Sequence, residues 1–184
     1  MKKIELLAPA GDMNKLKTAV EYGADAVYLG GESFGLRKAS KNFSVEDIKW
    51  ATNYLHERGK KIHVTLNIIP HDKDIVGVEE YIEKLNDIGV DALIVADPGM
   101  FMKVKKVAPN FPIHISTQGS VTNVETVKFW KDLGAERVVM ARELSLEEVS
   151  DIIKNVGDEI EIETFAHGAM CMSYSGRCLL SNYM

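Results

Sequence analysis

The chain is short of cysteine: Cys171 and Cys178 are the two in 184 residues, too few for a disulfide framework. No apolar run approaches the ~18 residues of a membrane-crossing helix. The opening Met1-Lys2-Lys3-Ile4-Glu5 runs straight into strand-like sequence and lacks the apolar centre of a signal peptide. Cations are also in deficit, 22 lysines and arginines against 27 acidic residues, for a formal charge of −5. Phosphate binding needs clustered Lys and Arg, so this balance argues against a dedicated nucleic-acid platform, although it leaves room for a local basic face. The expectation is a soluble chain without membrane attachment, in a reducing, cytoplasmic setting.

Several catalytic motifs are missing too. The first strand-to-helix turn reads Ala8-Pro9-Ala10-Gly11, without the glycine fingerprint that lets a backbone approach a dinucleotide pyrophosphate. No HExxH is present; Glu163 and His167 stand in the wrong order for it and on a strand. There is no GxSxG elbow to expose a serine nucleophile. Between the cysteines lie six residues, which is not the tight C-x(2)-C pair of zinc or ferredoxin sites and is a weak metal signal by itself.

What is present is a repeated β/α unit. With 46% hydrophobic residues the chain can bury a sizeable core, and its length suits one domain over 1–184. Strands are expected at Ile4 to Ala10, Ala26 to Gly30, Ile62 to Asn67, Ala92 to Ala96, Ile113 to Thr117, Arg137 to Ala141 and Glu161 to Ala166. Between them the apolar spacing is helical, as in Ile48, Ala51, Tyr54 and Leu55. One helix is expected from about Asp74 to Ile88. Helix starts are written in Asp12, Ser44 with Asp47, Asp97-Pro98, Asn123, and Ser145 with Glu148. The phrases YGADAVYLG, IGVDALIVAD and LGAERVVMARE repeat one pattern: a helix end, a glycine, an acid, then a buried strand. Strands joined by helical crossovers make a parallel sheet with right-handed connections. About seven strands and six helices fit a (β/α)8 TIM-type barrel, incomplete by one unit. A doubly wound open sheet is the alternative.

In such a barrel chemistry belongs at the C-terminal ends of the strands. The polar residues falling there are Asn67, Asp97, Gln118, Arg142, Glu143, Glu163 and His167, with Arg37 in the loop after the second strand. Alternation puts Glu161, Glu163, Phe165 and His167 on one face and Ile162, Thr164 and Ala166 on the other. The apolar set should face the helices, so Glu163 and His167 should point into the barrel or its mouth. An inward glutamate needs a partner, and Arg142 or His114 is expected to supply it. Glu163 suits a structural ion pair as well as a functional role. Asp97 reads as a helix cap, His63 and His114 as core histidines, and His56 as part of a solvated helix face.

The segment Glu163 to Ser181, ETFAHGAMCMSYSGRCLLS, resembles the signature E-x-F-x-x-G-A-M-C-x(6)-C-L-L-S of the collagenase-like peptidases, peptidase family thirty-two of unclassified catalytic type. ELLAPAGD (Glu5 to Asp12), GADAVYLGG (Gly23 to Gly31) and ARELSL (Ala141 to Leu146) resemble the same family. The resemblance implies a longer protein. Members carry two further cysteines downstream, and some bind a [4Fe–4S] cluster through all four, which would make Cys171 and Cys178 metal ligands. It also implies RNA modification in the full-length protein, in particular iron–sulfur-dependent hydroxylation of the tRNA wobble uridine. On that reading Glu163, His167 and Arg142 are catalytic, and Arg37, Asn67 and Gln118 contact the substrate. The alternative is the endopeptidase activity of the family's name, acting on a peptide. A barrel lacking its last unit should expose strand edges and associate as a homo- or hetero-oligomer. With two thiolates of four, the segment around the cysteines is expected to be poorly anchored.

Overall fold

The computed structural model describes residues 4–35, 42–168 and 173–175. Among them, seven parallel strands alternate with six α-helices. The strands are β1 (Leu7–Pro9), β2 (Ala26–Gly30), β3 (Lys61–Leu66), β4 (Ala92–Val95), β5 (Ile113–Ile115), β6 (Arg137–Val139) and β7 (Glu161–Glu163). The helices are α1 (Met13–Glu21), α2 (Val45–His56), α3 (Val78–Ile88), α4 (Pro98–Val107), α5 (Val124–Asp132) and α6 (Leu146–Val156). Strands pair in chain order, β1 to β7, with no reversal, which removes the doubly wound alternative. The sheet curls into a half-barrel of TIM type. Arg137 on β6 reaches Glu5, just ahead of β1, at 2.8 Å.

The caps explain where the helices begin. Asp12, Asp97 and Asn123 each accept a backbone N–H from three residues ahead, that of Lys15, Met100 and Thr126. Ser44 with Asp47, and Ser145 with Glu148, form complete capping boxes. One boundary differs from expectation. The stretch Asp72–Ile75 is a 3-10 turn and α3 starts only at Val78, because Gly77 takes a left-handed conformation (φ 81°) that breaks the helix between them. The strands are also shorter at their C-terminal ends than their apolar runs. After β5, for example, Thr117–Gly119 turns into a 3-10 helix capped by Ser116.

The two faces of the sheet differ in chemistry. Val27, Leu29, Ile62, Val64, Leu93, Val95, Ile113, Ile115 and Val138 point outward and pack on Leu16, Ile48, Leu55, Ile82, Phe101 and Val127 of the helices. Full burial of each such side chain stabilises by about 1.5–3 kcal/mol, so this layer holds the fold. The inner face instead carries Tyr28, His63, Thr65, His114, Arg137, Glu161 and Glu163. Register neighbours share a face, and the pairings Tyr28↔His63, His114↔Arg137 and Arg137↔Glu161 place them side by side. The expected division of β7 holds: Ile162 packs toward the helices, and Glu163 lies on the concave side.

Candidate functional site

At the N-terminal ends of the strands the inner face is closed by charge. Arg137, 6% exposed, donates to Glu161 and to Glu163 (3.1 Å) and pairs with Glu5, which also meets Lys61 at 3.1 Å. Burial works against the Arg137 charge, but Glu5 and Glu161 outweigh it and raise the guanidinium's pKa. Glu163 therefore finds its partner in Arg137, not in Arg142 or His114 as alternation alone suggested. The cause is the register: Val139 stands opposite Glu163 and Arg137 two residues before it, on the same face and within a guanidinium's reach. Burial pushes the Glu163 carboxyl above its ordinary value, and the nearby carboxylates of Glu5 and Glu161 add to this against the pull of Arg137.

Deeper in the concave face His63 and His114 meet edge to face, ring centroids 4.7 Å apart at 84°. Both are buried, and neither Nδ1 has a hydrogen-bond partner among the described residues. Burial, helped by the Arg137 charge, lowers His63 to about 4. Burial and the neighbouring His63 lower His114 to about 2. These are neutral core imidazoles, as their positions suggested. Asp97 is the α4 cap, and His56 pairs with Asp91 at 2.9 Å on the surface.

The C-terminal mouth is organised by Ser175. Its N–H donates to the Glu143 carboxylate at 2.7 Å, its carbonyl accepts from Ser120 Oγ at 2.5 Å, and its hydroxyl accepts from the Arg142 N–H at 3.4 Å. Desolvation of Glu143 is outweighed by these Ser175 bonds, which hold its carboxyl below the usual range. Ser175 is 1% exposed and so is anchored; both cysteines of the segment expected to be poorly anchored lie outside the described residues. The reason for the anchoring is local: Ser120 in a left-handed turn and Glu143 after β6 present a donor and an acceptor to the carbonyl and N–H of one residue. Nothing in the sequence order pairs position 175 with 120 and 143, so reasoning from spacing alone missed this dock.

Around the dock lie several residues singled out in the sequence. The Arg142 guanidinium stands 5.9 Å from the Phe165 ring centroid. His167 follows in an exposed bend, because β7 ends at Glu163. Gln118 sits half-buried in the 3-10 turn after β5, and its Oε1 is buried without a hydrogen-bond partner among the described residues. Asn67 is half-buried just past β3. Arg142 and His167 are thus at the mouth, whereas the Glu163 carboxylate is directed down the barrel toward Arg137. Arg37, Cys171 and Cys178 lie outside the described residues. Among the described residues no three His, Cys, Asp or Glu side chains group as a metal site. Nor is any helix long and apolar enough to cross a membrane.

Comparison with known proteins agrees with this architecture. The chain is similar to tRNA hydroxylation protein P1 of Bacillus subtilis, 50% identical over 183 residues that make up 100% of this chain and 43% of that protein. It is 46% identical over 184 residues to tRNA hydroxylation protein P of Escherichia coli, covering 100% of this chain and 40% of that one. The chain therefore spans less than half the length of these curated relatives. Among solved structures a U32 peptidase superposes with a TM-score of 0.76 over 98% of this chain and 74% of its own, at 19% identity, a likeness of fold alone. Residues 11–184, from the first strand-to-helix turn through both cysteines, match Peptidase family U32, and the chain belongs to that family.

Proposed function

We propose that the full-length protein hydroxylates RNA in the cytoplasm, with the wobble uridine of tRNA as substrate. The observation that carries this is identity of 46–50% along the whole chain to two tRNA hydroxylation proteins. The endopeptidase reading draws on the family's name alone. Arg142 and His167 at the mouth suit contact with the reacting nucleotide. Glu163, paired with Arg137 beneath the mouth, would act on the substrate only through that ion pair. Gln118, Asn67 and Arg37 are the proposed substrate contacts, Gln118 and Asn67 lying just past β5 and β3.

Cys171 and Cys178 supply two of the four thiolates of a [4Fe–4S] cluster, the others coming from elsewhere in the full-length protein. The donor set fits in kind: thiolates are the ligands of such clusters, and both cysteines stand within four residues of Ser175 in the sequence. Such a cluster, when bound, supplies electron transfer. Expression of the full-length protein in cells lacking their own tRNA hydroxylation proteins tests the reading. Hydroxylated uridine should return to the tRNA nucleosides, measured by mass spectrometry, and should fail to return with Cys171→Ala or Cys178→Ala. Wild-type protein that leaves uridine unmodified would overturn it.

A further inference from the structure

We infer that Phe165 and Tyr174 form a stacking platform for an unpaired base of the RNA, with Arg142 beside them as its cation; this rests on the RNA reading above. Phe165 is 49% exposed and Tyr174 is 52% exposed, at the end of the barrel where substrates enter. Two large rings left open to water at a catalytic mouth have a hydrophobic cost that a planar ligand would relieve.

Their positions are set by the scaffold. Phe165 stands two residues past β7, and the Arg142 guanidinium lies over its ring at 5.9 Å. Tyr174 is held next to Ser175, whose three hydrogen bonds run to Glu143, Ser120 and the backbone of Arg142 itself. Arg142 is thus the common neighbour of both ring-bearing segments. Aromatic rings with an interleaved arginine are what single-stranded RNA needs: stacking is tolerant of base identity, and the cation serves the phosphate.

Two other aromatic groups in the molecule lack this character. Trp50 and Tyr54 stack on each other at 5.0 Å, with Lys17 over the Trp50 ring and Arg58 over the Tyr54 ring. Each of these two rings already gives a face to the other. Phe34, Phe43 and Tyr81 line a cleft of about 280 Å³ whose rim carries Glu32 and the Glu80–Lys84 ion pair. That rim carries two carboxylates against one ammonium, a poor match for a phosphate chain.

The test is binding of the full-length protein to an unmodified tRNA transcript and to a single-stranded uridine oligonucleotide, by fluorescence anisotropy over a salt series. Phe165→Leu and Tyr174→Leu keep apolar bulk but lose the π face, and each should weaken binding about tenfold or more. Phe165→Trp and Tyr174→Phe should bind as wild type. The salt dependence should stay unchanged in the leucine variants, because stacking releases no counterions, and should become shallower in Arg142→Gln. If wild type binds and the leucine variants bind equally well, the platform is wrong and the RNA reading stands. Leucine variants that melt earlier with unchanged affinity would assign the rings to packing and equally overturn the platform. A wild-type protein that binds neither RNA removes both readings.

Discussion

The two ends of the half-barrel handle charge in opposite ways. At the strand starts Glu5, Lys61, Arg137, Glu161 and Glu163 are matched against one another, and Arg137 is almost fully enclosed. At the strand ends lie Arg142, His167, Phe165 and Tyr174 with the docked Ser175, and three of these four are exposed. A buried charge must be paired or it destabilises the fold, so the lower cluster is committed to structure. The upper residues keep water-facing atoms, which leaves them able to exchange water for a ligand. Glu163 belongs by sequence position to the upper end and by ion pair to the lower one.

The largest break in this contrast should come from protonating the buried imidazoles. His63 and His114 have folded pKa values, about 4 and about 2, below the ordinary 6.5, so the unfolded chain binds protons that the native state refuses. Stability from this source is complete above pH 6.5 and falls as pH drops through the window from 6.5 toward 4. Urea unfolding midpoints should fall steeply there, by a few kcal/mol in total, and His63→Leu should flatten the fall.

Next in size, Arg137→Ala removes the cation shared by three carboxylates and should cost about 3 kcal/mol at pH 7, read as a lower urea midpoint with an unchanged slope. A loss below ~0.5 kcal/mol would place the lower cluster among ordinary surface ion pairs. Glu163→Gln keeps a hydrogen-bond acceptor for Arg137 and removes a carboxyl whose pKa is raised on folding. A raised carboxyl pKa means that stability declines as pH climbs above 4.5. The variant should therefore be no less stable than wild type at pH 7, within about 1 kcal/mol, and should lack that decline. Smallest in global terms is Glu143→Ala at the mouth, with an expected change of about 1 kcal/mol or less. Its local effect should be plain: the Ser175 amide, bonded to that carboxylate, should lose hydrogen-exchange protection while β3 and β4 amides keep theirs.

The same contrast accounts for how much was legible in the residues. Helix starts were readable because a cap is a local transaction, as with Asn123 and the N–H of Thr126. Strand order was readable because each β/α unit repeats the last. The half-barrel's polar inner face was half readable: alternation along β7 assigned Glu163 to it, but the choice among Arg137, Arg142 and His114 depends on register between strands. Arg137 carried a usable signal, an arginine at the first position of an otherwise apolar strand, with the inward parity of Val139. The Ser175 dock carried none, since it joins three loops whose approach is decided only by the curl of the sheet.

The Glu5–Arg137 pair has a consequence for how the chain folds. Neighbouring β/α units form contacts between residues close in sequence, which favours early assembly. The bridge from the start of the chain to β6 instead closes a loop of most of its length, and that entropic cost is met only once the intervening strands have curled. Such a contact is made late, after the rate-limiting barrier. Arg137→Ala should therefore leave the refolding rate nearly unchanged and accelerate unfolding by almost the whole of its stability loss, so that the lower cluster acts as a brake on opening.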